Sequence, residues 1–312
     1  MGGTAERLSE SAGARLGAGE RARAACAVRG GGAGSGIRAD DAHTTHTRSA
    51  GMGKLDDRVI VITGAARGQG EQEARLFVAE GARVVIGDVL DGPGEALAEE
   101  LGEGRARFVH LDVAREDDWA GVVEAAKGAF GKIDGLVNNA GILRFNELVN
   151  TPLEEFQEVV SVNQVGCFLG IRTVAPEIAA AGGGTIVNTA SYTGLTGMAF
   201  VGAYAATKHA VVGLTRVAAL ELAGRRIRVN AVCPGAVDTP MTNPAALDPD
   251  ADPAESARAV DELYRKLVPL GRIGRPEEVA RLALFLSADD SSYITGQPFV
   301  IDGGWLAGVG LF

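Results

Sequence analysis

Short apolar runs alternate with longer amphipathic stretches along the chain from Lys54 onward. Compact runs rich in Val and Ile are typical of buried strands, whereas apolar residues spaced three or four positions apart are typical of helices. The pattern predicts strands at VIVIT 59–63, RVVIGD 83–88, RFVHLD 107–112, DGLVNN 134–139, TIVNTA 185–190, RIRVNAV 226–232 and PFVID 298–302. Seven strands joined by helices predict an α/β protein with a single-domain Rossmann fold, in which helices cover both faces of a doubly wound, seven-stranded parallel sheet.

Helices are predicted between these strands. They are expected at about 69–81, 93–102, 115–130, 152–181 and 202–223, and a further one begins at Pro276. The fourth begins at Thr151-Pro152, where Thr can cap the helix and Pro suits its first turn. The polar, Pro-rich insertion at about 238–275 interrupts the alternation, and we expect it to form a loop over the substrate.

The N-terminal segment lacks this periodic pattern. Residues 1–51 contain seven Arg, no Lys and the run GGGAGSG at 30–36. Such a segment cannot bury enough apolar surface to offset the entropy of ordering, so we expect a disordered extension at 1–53 and one folded domain at 54–312. Two alternatives stay open. One is a targeting peptide, which five acidic residues argue against, and the other is upstream sequence joined to a natural start at Met52.

Composition narrows the classes of partner. The 312 residues carry a formal net charge of −10, which argues against nucleic acid and anionic membrane as partners. Cys26, Cys167 and Cys233 lie far apart without a C-x-x-C pair, as expected in a reducing compartment. No apolar run reaches the roughly 18 residues of a membrane span, so we expect a soluble, cytoplasmic protein.

A glycine-rich turn, TGAARGQG at 63–70, follows the first strand. Gly64 permits a sharp turn, Gly68 lets the backbone approach a pyrophosphate, and Gly70 lets the helix pack against the strand. The free amides and the positive dipole end of the following helix favour phosphate binding, and Arg67 and Gln69 complete the candidate contacts. Between a strand and a helix, this turn predicts a dinucleotide-binding site.

Asp88 ends the second strand, twenty-four positions after Gly64. A carboxylate there can accept hydrogen bonds from both ribose hydroxyls of an adenosine and would repel a 2′-phosphate, so it favours NAD over NADP. Arg67 has the opposite effect, because it can pair with a 2′-phosphate. Asp112-Val113 fits the adenine edge, and Asn139-Ala140-Gly141 lies where the fourth strand meets the cofactor.

Tyr204 and Lys208 are four residues apart on a predicted helix and therefore share one face. Free tyrosine titrates near 10, so activity near neutrality requires a pKa lower by about three, which one ammonium at about 4 Å can supply at an effective dielectric near 20. Ser191 follows the fifth strand, at the sheet edge where parallel sheets bind ligands. Each residue alone has an ordinary structural explanation, but after a dinucleotide turn the three together indicate a reaction centre.

The stretches TGAARGQG, LDV at 111–113, NNAG at 138–141, Ser191 with YAATK at 204–208, and NAVCPGAVDT at 230–239 resemble the short-chain dehydrogenase/reductase family over about residues 54–306. The resemblance implies that Tyr204 is the general acid/base, that Ser191 orients and polarises the carbonyl, and that Lys208 lowers the tyrosine pKa and holds the nicotinamide ribose. It also implies that the Asn163 carbonyl helps to hold a proton-relay water. The segment around the nicotinamide carboxamide is matched by Pro234, Gly235, Val237 and Thr239.

Within the family, the scaffold segments are most similar to bacterial 3α/20β-hydroxysteroid dehydrogenases. We therefore expect an NAD-dependent oxidoreductase that interconverts a secondary alcohol and a ketone on a hydroxysteroid or another lipophilic substrate. The residues expected to line an apolar pocket are Leu143, Phe145, Leu195, Met198, Phe200, Val201 and Met241. A 3-oxoacyl-carrier-protein reductase is the alternative, because Arg67 would suit NADPH. A non-catalytic NAD-binding scaffold is disfavoured, because no member of the catalytic set is missing.

The resemblance further implies a homo-oligomer, a tetramer in particular, in which the helices near 152–181 and 202–223 pair between subunits. No metal site is expected, since His110 and His209 stand alone in the sequence and the family chemistry needs no metal.

Overall fold

The computed structural model describes residues 53–242 and 253–308. The expectations for residues 1–52 and for the middle of the insertion lie outside these ranges. The strands are β1 Val59–Thr63, β2 Arg83–Asp88, β3 Ala106–His110, β4 Gly135–Asn138, β5 Gly184–Thr189, β6 Ile227–Pro234 and β7 Pro298–Ile301. The helices are α1 Gly68–Ala79, α2 Asp91–Leu101, α3 Glu116–Phe130, α4 Leu153–Val159, α5 Gly166–Ala180, α6 Gly202–Leu222, α7 Pro253–Leu267 and α8 Pro276–Ser287.

All seven strands form one sheet in the order β3-β2-β1-β4-β5-β6-β7, and every neighbouring pair is parallel. The winding reverses between β1 and β4, so the connections that follow these two strands diverge at the carboxyl edge and leave a crevice there. The predicted doubly wound, seven-stranded Rossmann fold is confirmed.

Helices cover both faces of the sheet. One apolar core, between the sheet and helices α1, α2 and α8, includes Phe77, Leu97 and Leu284. The other, between the sheet and helices α3, α5 and α6, includes Trp119 and Ile178. Because both of its faces are covered, β1 is buried along its whole length, which explains a continuous apolar run in place of an alternating one.

Three elements differ from the sequence prediction. β3 ends at His110, so Asp112 lies in the following loop. The helix predicted at 152–181 consists of α4 and α5 joined by a π-helical turn at Val160–Val165. Helix α7 lies inside the segment expected to be a loop. Its apolar residues recur at helical spacing, but the polar, Pro-rich sequence on either side obscures that signal.

A buried chain of hydrogen bonds fixes α6 on the sheet. The Asn138 side-chain amide donates to the Asn188 side-chain oxygen at 2.9 Å, and the Asn188 amide donates to the Thr215 hydroxyl at 2.9 Å. All three side chains are buried, so leaving one of them unpaired would cost about 1–3 kcal/mol. The chain therefore sets the position of α6, and of the residues it carries, relative to β4 and β5.

Candidate active site

A cleft with a volume of about 500 Å³ opens at the carboxyl edge of the sheet. Predicted cofactor residues that line it are Gly64, Arg67, Gly68, Gln69, Asp88, Asp112, Val113, Asn139, Ala140, Gly141, Pro234, Gly235, Val237 and Thr239. Ser191, Tyr204 and Lys208 line it as well. Asn163 lines a small adjoining cavity, and Gly70 lies against the glycine turn. Residues predicted from separate segments therefore converge on one cleft.

The turn between β1 and α1 has the backbone geometry that its glycine spacing implies. Gly64 and Gly68 both have a φ of 63°, in the left-handed region. A Cβ at Gly70 would lie 2.4 Å from the Gly64 carbonyl oxygen, so no side chain fits at this position. Gly68 and Gln69 begin α1 and line the cleft, which places the N-terminal end of the helix at the cleft wall.

Hydrogen bonds from the end of β4 hold this turn. The Thr63 hydroxyl accepts from the backbone amides of Asn139 and Ala140, each at 3.0 Å. The Asn139 side-chain amide donates to the carbonyl oxygens of Thr63 and Gly64, also at 3.0 Å. Asn139 thus ties the two connections on either side of the crevice together.

Asp88 is buried at the end of β2, and both of its carboxylate oxygens accept backbone hydrogen bonds. Oδ2 accepts from the Ala66 amide within the glycine turn at 2.9 Å, and Oδ1 accepts from the Leu90 amide at 3.0 Å. Each oxygen keeps a second lone pair for a hydroxyl donor. The neighbouring Arg67 also lines the cleft but is exposed.

Ser191, Tyr204 and Lys208, the three residues predicted to form a reaction centre, lie together in the cleft. Lys208 is buried, its Nζ donates to the Thr189 carbonyl at 2.7 Å, and the same Nζ lies 5.4 Å from the centroid of the Tyr204 ring. The Ser191 hydroxyl oxygen accepts from the Thr193 amide at 3.2 Å and from the Thr193 hydroxyl at 3.0 Å. These bonds orient the serine and leave its own proton available for donation.

The direction expected for the tyrosine pKa is corrected by the structure. Burial raises the pKa of Tyr204 to about 12, and hydrogen bonding with the Ser191 side chain acts against this rise. Burial also lowers the pKa of Lys208 to about 8. The expectation considered the lysine ammonium but not the burial of the phenol, which has the largest effect on its pKa. Tyr204 is therefore a protonated phenol at neutral pH.

Asn163 is buried in the π-helical turn between α4 and α5. Its Oδ1 accepts from the Ile142 amide at 2.8 Å, and its Nδ2 donates to the Ile142 carbonyl at 2.9 Å. Nδ2 also donates to the Thr207 hydroxyl at 3.2 Å, next to Lys208 in α6. The asparagine side chain thus connects the segment after β4 with the helix that carries Tyr204 and Lys208, and π turns are frequent at functional sites.

Comparison with known proteins identifies the family. Residues 64–306 match the family described as enoyl-(acyl carrier protein) reductase. A 3-alpha-(or 20-beta)-hydroxysteroid dehydrogenase of Mycobacterium tuberculosis is 44% identical over 256 residues, which are 82% of this chain and 92% of that protein. The crystal structure of a short-chain type dehydrogenase/reductase from Mycobacterium marinum has a TM-score of 0.74 and 36% identity, and the match covers 81% of this chain and 97% of that one. The chain belongs to the short-chain dehydrogenase/reductase family.

The resemblance inferred from sequence motifs is confirmed, including the similarity to hydroxysteroid dehydrogenases. A second relative in this family is a 3-oxoacyl-(acyl-carrier-protein) reductase of Thermotoga maritima. It is 42% identical over 253 residues, which are 80% of this chain and 98% of that protein. The family is thus an oxidoreductase family whose members differ in substrate.

The part of the cleft where the predicted substrate-lining residues lie is largely apolar. The predicted lining residues found there are Leu143, Phe145, Met198, Val201 and Met241. The prediction was wrong for Leu195 and Phe200, which do not line the cleft. Leu195 follows a tight 3₁₀ turn, and Phe200 has a left-handed φ of 67° and is 61% exposed.

Lining residues that were not predicted by name include Leu263 and Tyr264 from α7, and Trp305 from the segment after β7. The helical spacing of apolar residues in α7 was the available signal for the first two. No sequence signal indicated Trp305, because its place depends on how the chain turns after β7.

None of the helices in the described ranges combines the length and apolarity needed to cross a membrane. Within residues 53–242 and 253–308, no group of three or more His, Cys, Asp and Glu side chains is arranged to hold a metal ion. His110, which stands alone in the sequence, has a partner in the fold, since its Nδ1 lies 2.7 Å from the Asp91 carboxylate.

Proposed function

We propose that this dehydrogenase uses NAD to interconvert a secondary alcohol and a ketone on a lipophilic substrate such as a hydroxysteroid. The observation that carries the proposal is the position of Ser191, Tyr204 and Lys208, which lie in one cleft with a dinucleotide turn and a largely apolar half. The name of the Mycobacterium tuberculosis relative supports the substrate class.

The described residues fit a nicotinamide dinucleotide. The N-terminus of α1 offers backbone amides for a pyrophosphate, and Asp88 has lone pairs for ribose hydroxyls. Gln69 Oε1 is buried without a hydrogen-bond partner among the described residues, as expected of a group that awaits a polar ligand. When bound, the cofactor supplies or accepts the hydride at the substrate carbon.

The protein's own residues transfer the proton to and from the substrate oxygen and stabilise the charge that develops. Tyr204, protonated at neutral pH, gives its proton to the ketone oxygen during reduction and takes it back during oxidation. Ser191 donates its free proton to the same oxygen and polarises the carbonyl. The Lys208 ammonium beside the ring stabilises the phenolate that forms, and it also binds the nicotinamide ribose. Asn163 helps to hold the water that returns the proton.

Asp88 is the basis for the preference for NAD. A phosphate charge placed about 4 Å from its carboxylate would cost about 4 kcal/mol at an effective dielectric near 20. Arg67 offers a compensating cation, but it is exposed, and exposed ion pairs contribute only about 0–1 kcal/mol. The repulsion therefore outweighs the attraction.

A 3-oxoacyl-carrier-protein reductase is the second candidate, favoured by the Thermotoga maritima relative. Charge opposes it. Among the described lining residues the charged ones are Arg67, Asp88, Asp112 and Lys208, on the cofactor side or at the reaction centre. Residues 243–252, which follow the lining residue Thr242, carry three Asp and no Lys or Arg. A phosphate-bearing arm would find no cation in this part of the chain, whereas a neutral lipophilic substrate needs none.

We also propose a homo-oligomer, a tetramer in particular. Val149 before α4, Leu153 in α4, Phe168 in α5, and Val217 and Leu220 in α6 are exposed apolar residues. Apolar surface of this kind on neighbouring helices is typical of subunit contacts.

The described cysteines are buried free thiols, which supports a reducing, cytoplasmic location.

The test is a steady-state assay of the full-length protein with NADH and NADPH against steroid ketones, alicyclic ketones and a 3-oxoacyl thioester. We expect reduction of the cyclic ketones and a higher kcat/KM with NADH than with NADPH. Preference for NADPH and the thioester would support the reductase candidate. Binding of NADH without turnover of any ketone would support a non-catalytic protein and overturn the proposal.

A further inference from the structure

Three aromatic side chains from separate elements meet in the substrate half of the cleft. Tyr192 directly follows Ser191, Tyr264 belongs to α7, and Trp305 follows β7. Trp305 stacks on Tyr192, with ring centroids 4.7 Å apart and 21° between the planes. Tyr264 meets Trp305 edge-on, at 6.0 Å and 73°. Tyr192, Tyr264 and Trp305 are called the aromatic wall below.

A tight turn holds Trp305 in the wall. Gly303 and Gly304 have φ values of 65° and 92°, which lets the chain reverse after β7. The Asp302 carboxylate accepts from the Gly304 amide at 2.9 Å and from the Leu306 amide at 2.7 Å. A Cβ at Gly303 would lie 2.5 Å from the Val268 side chain, so the turn packs closely against the segment that directly follows α7. The indole is therefore positioned before any substrate binds.

Tyr192 is fixed as well. Its hydroxyl donates to the Met198 sulfur at 2.8 Å, and the residue is buried. Burial raises the pKa of Tyr192 to about 12, so the ring is uncharged near neutrality. Because the hydroxyl is engaged by Met198, Tyr192 contributes an apolar ring to the wall.

We propose that the aromatic wall makes this enzyme select neutral substrates with a rigid ring system over flexible open-chain substrates, with Trp305 as the main determinant. The proposal rests on the proposed ketone–alcohol chemistry and narrows its substrate class. A rigid ring makes contact with a fixed aromatic surface without losing torsional freedom. An open chain loses conformational entropy when it makes the same contact, because several of its single bonds can no longer rotate. The wall carries no formal charge that would compensate a carboxylate or phosphate on the substrate.

The experiment compares two neutral ketones of equal carbon count, the bicyclic trans-1-decalone and the open-chain 2-decanone. The variants are Trp305→Ala, Trp305→Phe, and Leu306→Ala as a control from the same turn that does not line the described cleft. Two readouts are taken: kcat/KM with NADH, and the shift in Tm caused by each ketone in the presence of NAD⁺, a mixture in which ketone reduction cannot occur.

We expect Trp305→Ala to lower both kcat/KM and the Tm shift for decalone. The ratio of kcat/KM for decalone to kcat/KM for decanone should fall about tenfold. Trp305→Phe should keep most of the ratio, and Leu306→Ala should leave it unchanged. If Trp305→Ala does not fold, Tyr264→Leu replaces it, with a smaller fall expected because that ring only makes an edge contact.

The outcomes separate the two proposals. A decalone-to-decanone ratio that does not change in the Trp305 variants, or an equal loss for both ketones, would overturn the aromatic wall while turnover still supported the ketone chemistry. Absence of turnover in the wild type, together with a decalone Tm shift that Trp305→Ala abolishes, would overturn the ketone chemistry and support the wall.

Discussion

Replacing Glu73 with Gln removes the ionisation of a carboxyl group that α1 buries three residues after Gly70. Glu73 is 0% exposed, and neither carboxylate oxygen has a hydrogen-bond partner among the described residues. Burial alone raises its pKa to about 8, because the charged form cannot be solvated there. Gln has nearly the same size and carries no charge, so the substitution isolates the effect of ionisation.

The pKa values of Glu73 in the folded and in the unfolded chain give the sign and the size of the change in stability with pH. An unfolded Glu titrates near 4.3, so between about pH 4.5 and about pH 8 the unfolded chain binds fewer protons than the folded chain. Wild-type stability therefore falls as pH rises through this window, by about 1.4 kcal/mol per pH unit. The part of the free energy of unfolding that depends on a protonated Glu73 is fully present below this window and is lost above it. The total loss is about 5 kcal/mol.

Urea unfolding of the wild type and Glu73→Gln at fixed protein concentration, at about pH 5, 6.5 and 8, measures this effect. We expect the variant to be more stable by only about 1 kcal/mol at the lowest pH, and by several kcal/mol at the highest. Glu99→Gln, which changes an exposed glutamate of α2, is the control and should show no such gain. A difference between Glu73→Gln and wild type that is the same at all three pH values would refute the assignment of an unpaired, buried carboxyl.

Four further predictions concern the cleft and the subunit contacts. Tyr204→Phe keeps the ring but removes the proton, so turnover should fall by about 10²–10⁴ while NADH binding, followed by fluorescence, survives; near-normal turnover would contradict the acid/base role. Lys208→Ala should lower turnover and also weaken NADH binding, and unchanged binding would argue against contact with the ribose. Asp88→Ser should raise kcat/KM with NADPH relative to NADH, since Arg67 then faces no competing carboxylate; a wild type that already prefers NADPH would show the charge argument to be wrong. Leu220→Glu places a charge on an exposed apolar face of α6 and should lower the mass found by light scattering, whereas a wild type of monomer mass would exclude the oligomer.

Much of the fold could be predicted because its signals are local. The seven strands lie within two residues of their predicted bounds, since parallel strands covered on both faces need continuous apolar runs. The glycine turn is equally visible, because Gly64 and Gly68 adopt a left-handed φ that other residues rarely tolerate. Tyr204 and Lys208 share a face by helical geometry alone. These features depend on backbone conformation and short-range spacing.

Other features were decided by contacts between residues far apart in the chain. The π turn at Asn163 accompanies side-chain hydrogen bonds to Ile142 and Thr207, neither of which is a sequence neighbour. Trp305 reaches the cleft because Asp302 accepts hydrogen bonds within the turn after β7 and that turn packs on the segment after α7. The pKa of Tyr204 rises because the assembled cleft removes water from the phenol, an effect that exceeds the opposing hydrogen bond with Ser191. A sequence determines which residues recur at helix or strand spacing, but burial and desolvation are properties of the assembled fold, because they depend on every element that packs around a group.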